Sequence, residues 1–256
     1  MTQTSPRKIV ILGALSAMAA ASARRLAEQG AGFVLAGRDA GKLEREAADL
    51  TARGASQVAI EALDLTDTTG CDAMFARAAE TLGGIDTVLV FYGVLGDQAQ
   101  AERDPAHAAA ILDVNFTSAA HWVLAAARAL ETHAGKDGVL LTASSVAGDR
   151  GRRSNFVYGA AKGGLSILMQ GLAHKWAAQD NAPRAVNLKL GFVDTPMTDG
   201  LPKGGPLWAS PEDIAQVVNR AVAGRGGPTL YAPWFWRWIM LAIRMTPAAI
   251  FNKVNL

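Results

Sequence analysis

The stretch that decides the fold is Lys8-Ile9-Val10-Ile11-Leu12-Gly13-Ala14-Leu15-Ser16-Ala17-Met18-Ala19. Residues 8–12 are almost wholly aliphatic and read as a buried strand. Gly13 supplies a turn, and residues 17–29, stopped by Gly30, read as a helix. Arg7 and Lys8 ahead of an apolar run also trace the outline of a secretory signal peptide. The strand reading is preferred, because the segments downstream need this one as a sheet member. A spanning helix does not fit: Gly13, Ser16 and Ser22 interrupt the run, and Arg24 and Arg25 end it early.

Working outward, short apolar runs alternate with helical ones. Strands are expected at 33–36, 58–62, 87–91, 139–143, 185–190 and 229–231, and helices at 40–52, 67–82, 105–132, 156–178 and 211–223. Ser210, Pro211 and Asp213 form the capping arrangement of the last of these helices. Apolar strands separated by helices imply an α/β fold, a Rossmann-type doubly wound parallel sheet with helices on both faces. The expected organisation is one domain over residues 1–232, extended by an apolar, Trp-rich helical tail over 233–256. No internal repeat and no Pro/Gly/Ser-rich linker divides it.

Composition narrows the function. With 256 residues, 50% hydrophobic and 19% charged, the chain can bury a large core. A net charge of +2 leaves no general footprint for nucleic acid. One cysteine, Cys71, excludes an internal disulfide and a cysteine-rich zinc site, and fits a reducing, cytoplasmic setting. His107, His121, His133 and His174 lack metal-ligand spacing, so no metal is expected. Asn115-Phe116-Thr117 matches a glycosylation acceptor only by pattern. Trp122 and Trp176 read as packing residues.

In a doubly wound sheet, ligands meet the carboxyl ends of the strands. After the first strand only Gly13 remains of a glycine-rich phosphate turn, while Ala17 and Ala19 are small but resist positive φ. The turn fits a dinucleotide cradle or a tight strand–helix connection. Arg38, after the second strand, suits the 2′-phosphate of NADP over NAD, or is a solvated loop arginine. Asp64 accepts from an adenine amino group or caps the next helix. Tyr158 and Lys162 lie four apart on one helical face, where a lysine ammonium lowers a phenol's pKa toward neutrality. Ser145, after the fifth strand, is placed to hydrogen-bond the carbonyl oxygen that Tyr158 would protonate. Asn115 is a polar residue in an apolar helix, suited to holding a water that connects the lysine to solvent.

In these residues the chain resembles the short-chain dehydrogenase/reductase family from Lys8 to about Met197. The resemblance implies Asn115, Ser145, Tyr158 and Lys162 as a catalytic tetrad, with Lys162 also binding the nicotinamide ribose. The run Leu190-Gly191-Phe192-Val193-Asp194-Thr195-Pro196-Met197 resembles the family segment over the nicotinamide, with Val193 at the carboxamide and Thr195 at polar groups of the cofactor. The implied cofactor set adds Gly13, Leu15, Ser16, Ala17, Met18, Arg38, Asp64, Leu65 and Gly93. NADP is preferred and NAD remains an alternative. Three departures bear on the cofactor: the single glycine of the turn, Val90-Phe91-Tyr92-Gly93 in place of the family's Asn-Asn-Ala-Gly, and Leu190 in place of a proline.

A narrower resemblance, to decaprenylphosphoryl-2-keto-ribose reductases, is carried by residues 91–97, residues 148–159 and the tail. It implies reduction of a 2-keto sugar on a polyprenyl phosphate, with a separate flavin oxidase as partner and a homo-oligomeric assembly. The alternatives are a reductase of an acyl or small carbonyl substrate, or a catalytically weak NAD(P)-binding scaffold. Arg150, Arg152 and Arg153 are candidates for a bidentate phosphate grip beside the carbonyl, or else belong to a solvated basic loop or to subunit salt bridges. In the tail, Trp234, Trp236 and Trp238 are followed by a second short helix expected over 248–254. The tail suits a peripheral contact at the inner face of the membrane, a subunit contact or a lid over the substrate pocket.

Overall fold

The seven strands of the main sheet lie where the apolar runs place them, and the alternation of their side chains feeds two cores. The computed structural model describes residues 6–200 and 203–254. The chain runs β1 (Lys8–Leu12), α1 (Ala17–Ala27), β2 (Gly32–Gly37), α2 (Ala40–Ala52), β3 (Gln57–Ala62), α3 (Cys71–Leu82) and β4 (Thr87–Val90). It continues through α4 (Gln98–Ala101), α5 (Pro105–Leu112), a π-turn (Asp113–Thr117), α6 (Ser118–His133), β5 (Val139–Ser145), α7 (Phe156–Ala177) and β6 (Arg184–Leu190). The remainder is β7 (Phe192–Val193), β8 (Trp208–Ala209), α8 (Pro211–Val222), β9 (Thr229–Ala232), α9 (Trp236–Met245) and α10 (Ala248–Phe251).

Seven strands form one parallel sheet in the order β3-β2-β1-β4-β5-β6-β9. β1 is its third strand, which settles the N-terminal ambiguity in favour of the strand. Ile9, Ile11, Phe33 and Leu35 face one core with α1, α2 and α8. Val10, Leu12 and Val34 face the other, with Phe75, Trp122, Leu165 and Trp176. Both tryptophans are packing residues, and each has its N–H satisfied: Trp122 donates to the Leu65 carbonyl at 2.8 Å and Trp176 to Glu131 at 2.6 Å. Among the described residues no helix is long and apolar enough to cross a membrane, and no cluster of histidine, cysteine and carboxylates could hold a metal.

Three expected elements need correction. The helix expected from residue 67 starts at Cys71, because Asp64 and Asp67 turn back on Thr66 and Thr69 and hold the chain in two tight turns. Asp64 therefore does not cap that helix. The helix expected over 105–132 is broken by the π-turn, whose extra residue per turn swings Asn115 toward the segment after β4. The last helix stops at Phe251. Two features were not foreseen: α4, and the small β7–β8 sheet that holds the segment after β6 over the carboxyl end of the main sheet.

Candidate active site

At the carboxyl ends of β1, β2, β4 and β5 runs a groove of about 490 Å³, lined by Gly13, Leu15, Ser16, Ala17, Met18, Arg38, Asp64, Leu65, Gly93, Tyr158, Lys162 and Thr195. The candidate cofactor residues come together there, except Val193, which lies on the adjoining cavity. The turn works with one glycine because only Gly13 takes a positive φ, 81°. A Cβ on it would stand 2.8 Å from Tyr92 Cβ, so the close approach also demands glycine. Gly13 and Ala14 donate to the Ala36 carbonyl, and Ala17 begins α1 without strain.

At the far end of the groove Arg38 is exposed, with Lys42 beside it. Asp39, an acidic residue at the same strand end, is spent on α2: it accepts from Lys42 N at 3.0 Å and pairs with Lys42 Nζ at 3.3 Å. Lys42 was missed in the sequence, where it reads as an ordinary solvated helix residue. Asp64 accepts twice from Thr66, which holds its carboxyl below the usual range, with the Arg38 charge adding to the effect.

The other polar residues meet where the groove joins a cavity of about 360 Å³. Ser145 ends β5, Tyr158 opens α7 and Lys162 follows one turn later. Lys162 is buried, donates to the Ala143 carbonyl at 3.2 Å, and holds its Nζ 5.9 Å from the Tyr158 ring centre. Burial pulls its pKa down to about 8. Tyr158 departs from expectation: burial pushes its phenol up to about 12, against the opposing pull of the Ser145 hydroxyl and the Arg152 charge. Desolvation of the phenolate outweighs both the Ser145 hydrogen bond and the Arg152 charge, which favours the protonated phenol.

Asn115 is fully buried, and its side chain is a strut. Its Nδ2 donates to the Val94 and Ile111 carbonyls, both at 2.8 Å, and its Oδ1 accepts from Val94 N at 3.2 Å. These bonds tie the segment after β4 to the π-turn. A Cβ on Gly93 would come 2.5 Å from Asn115 Oδ1 and 3.2 Å from Lys162 Nζ, so that glycine lets the three close up. Tyr92, which stands in the altered motif, hydrogen-bonds Ser118 at 3.1 Å. Thr195 stands at the junction of groove and cavity and begins a short turn closed by Thr198.

The three loop arginines part company. Arg150 donates to the carbonyls of Ile243 and Thr246 at the end of α9 and stacks 3.8 Å from the Phe251 ring centre. Arg153 donates to the Val254 carbonyl at 2.6 Å. Neither lines the cavity beside Tyr158, so the shared grip expected of all three is replaced by one candidate, Arg152. Among the described residues its buried Nε has no partner and it forms no ion pair, and burial lowers its pKa. Asn155, on the same wall, has a buried Oδ1 likewise unpartnered. Behind this loop Asp149, Lys189 and Tyr231 form a buried ionic network. Trp236, from the tail, closes the cavity: its ring fills the space over Gly191 and its Nε1 donates to the Leu207 carbonyl at 3.3 Å.

Comparisons with known proteins agree with this architecture. Residues 7–204 match the family model described as short chain dehydrogenase. An uncharacterized oxidoreductase of Mycobacterium tuberculosis is 37% identical over 254 residues, covering 99% of each chain. The cis-4-hydroxycyclohexanecarboxylate dehydrogenase of Sinomonas cyclohexanicum is 31% identical over 228 residues, covering 83% of this chain and 87% of its own. A short chain dehydrogenase from Burkholderia cenocepacia, solved in complex with NADP, superposes with a TM-score of 0.77 at 23% identity, covering 89% of this chain and 96% of its own.

Proposed function

The chain belongs to the short chain dehydrogenase family, and from that premise we propose that it reduces a ketone with NADPH, Tyr158 being the proton donor. The observation that carries this reading is that Tyr158 lines both groove and cavity, with Lys162 on its groove side and Ser145 on its cavity side. A bound NADPH supplies hydride. The protein supplies everything else. Ser145 and Tyr158 hydrogen-bond the ketone oxygen, and the protonated phenol delivers its proton as the alkoxide develops. Lys162 holds a positive charge near the ring, and Asn115 fixes the backbone beside it.

The groove residues fit a dinucleotide: the Gly13 turn admits a close backbone approach, and α1 points its N-terminus at the same place. Arg38 and Lys42 favour the 2′-phosphate of NADP, since the neighbouring Asp39 is committed to α2.

For the substrate, a half-buried arginine whose Nε is shut away from water and unpartnered among the described residues is costly unless a ligand brings the anion. Arg152 and Asn155 therefore support a ketone with an anionic group and a hydroxyl, as in a keto sugar phosphate, including one carried on a polyprenyl chain. The carboxylate in the name of the Sinomonas relative is in keeping with an anionic cyclic substrate. Exposed Phe116, Leu124 and Ile167 on the π-turn, α6 and α7 support a homo-oligomer. A cytoplasmic setting, and a flavin oxidase that makes the ketone, go with this reading.

Fluorescence titration with NADPH and NADH tests the groove, and NADPH oxidation with charged and uncharged ketones tests the cavity. Tight NADPH binding with turnover of an anionic ketone is expected. Binding of neither nucleotide to folded protein overturns the reading.

A further inference from the structure

Helix α9 breaks the rule that a surface helix hides one face and wets the other. Trp236 and Met240 point inward and are buried, with Ile239 and Ile243 packed against the same small core. The opposite face is also apolar. Trp238 is 57% exposed, Leu241 48% and Met245 75%, and Trp234, just ahead of the helix, is 72% exposed. Ile250 of α10 continues the patch at 57%. Arg237 and Arg244, seven residues apart, lie along one edge of the helix between the two faces, with the Arg237 guanidinium 5.4 Å from the Trp238 ring centre.

Charge chooses the occupant. From residue 233 to the last residue the sequence holds Arg237, Arg244 and Lys253 and no aspartate or glutamate. A second copy laid face to face would bring the cations of both tails together, whereas a surface of lipid phosphates neutralises them. Indoles outward and arginines at the margin suit the boundary between headgroups and acyl chains.

We propose that α9 and α10 dock on an anionic lipid surface, the outward side chains of α9 entering the headgroup boundary and Arg237 and Arg244 meeting the phosphates. The docked helix is also a wall of the reaction cavity, since Trp236 on its inner face lines that cavity. Arg150 and Arg153 lash the tail to the loop that carries Arg152, so the lipid surface and the substrate cavity are held at a fixed spacing. Docking thus presents the cavity to ketones carried by amphiphiles. The surface itself does not depend on the ketone chemistry.

The test is co-sedimentation of the full chain with vesicles of phosphatidylcholine, alone or with phosphatidylglycerol. Binding to the anionic vesicles is expected, and it should weaken in high salt. The double variant Trp238→Ser/Met245→Ser should lose at least about tenfold in vesicle affinity, both side chains being outward and packed on little. Arg237→Gln/Arg244→Gln should lose the preference for phosphatidylglycerol by about tenfold or more. NADPH titration of each variant, expected unchanged, shows that the groove is intact and separates failure of this surface from failure of the reductase reading. The proposal is overturned if the full chain ignores both vesicles, or if Trp238→Ser/Met245→Ser binds them as well as wild type. It is also overturned if sedimentation equilibrium shows that this variant converts a dimer to a monomer, which would give the face to a second copy.

Discussion

The two sides of Tyr158 are built on opposite plans. On the groove side polar groups are tied down by near neighbours: Asp39 by Lys42, Asp64 by Thr66, Asn115 by Val94 and Ile111. On the cavity side Arg152 and Asn155 bury polar atoms that meet no partner among the described residues. The first wall is complete as folded and presents backbone and small residues. The second leaves buried polar atoms without partners among the described residues, which is why the proposed substrate anion is assigned to that side.

Breaking the junction between the two walls has the largest expected effect. Tyr158→Phe keeps the ring and its packing and removes the proton donor, so turnover should fall by about 10²–10⁴-fold while NADPH still binds. Steady-state NADPH oxidation beside a fluorescence titration reads both, and turnover near wild type would refute the mechanism.

Breaking the cavity wall alone comes next. Arg152→Met should raise KM for an anionic ketone by about 10–100-fold, the scale of a charge-assisted hydrogen bond, and leave an uncharged ketone nearly unaffected. The same change removes a poorly solvated cation, so Tm should hold or rise. Equal losses on both ketones would show that Arg152 only shapes the loop.

The groove is sharpened by Arg38→Gln. It should weaken NADPH by roughly tenfold and leave NADH unchanged, because an exposed arginine gives a modest contribution to one phosphate. Identical behaviour of both nucleotides would remove Arg38 from the 2′-phosphate site.

The smallest effect is on pH. With its pKa raised to about 12, Tyr158 stays in the donor form through neutrality, so reduction should be level there. Lys162, lowered to about 8, loses its charge above that pH, and reduction should decline several-fold as it does. The reverse reaction needs the phenolate and should climb with pH over the same range. A reduction rate that rises through pH 8 would contradict the assignment.

The order of strands and helices was legible in the sequence because period and capping act over a few residues: Gly13, Ser210 with Asp213, and the Tyr158–Lys162 spacing all carry local signals. The breaks were harder to read. The π-turn at Asn115 depends on carbonyls of Val94 and Ile111 that the helical period does not reveal. Lys42 looks like any surface lysine until α2 is laid along the groove.

By itself, then, the sequence determined a doubly wound parallel sheet and the residues that gather at its carboxyl edge, since both follow from short-range spacing of apolar, glycine and polar side chains. Only the tertiary structure decided which loop arginine faces the cavity, since Arg150 and Arg153 find their acceptors about a hundred residues away in the tail. It likewise decided that Trp236 walls the cavity while Trp238 faces outward, and that burial raises the Tyr158 phenol. Such outcomes depend on desolvation and on partners brought together by folding, which no local pattern encodes.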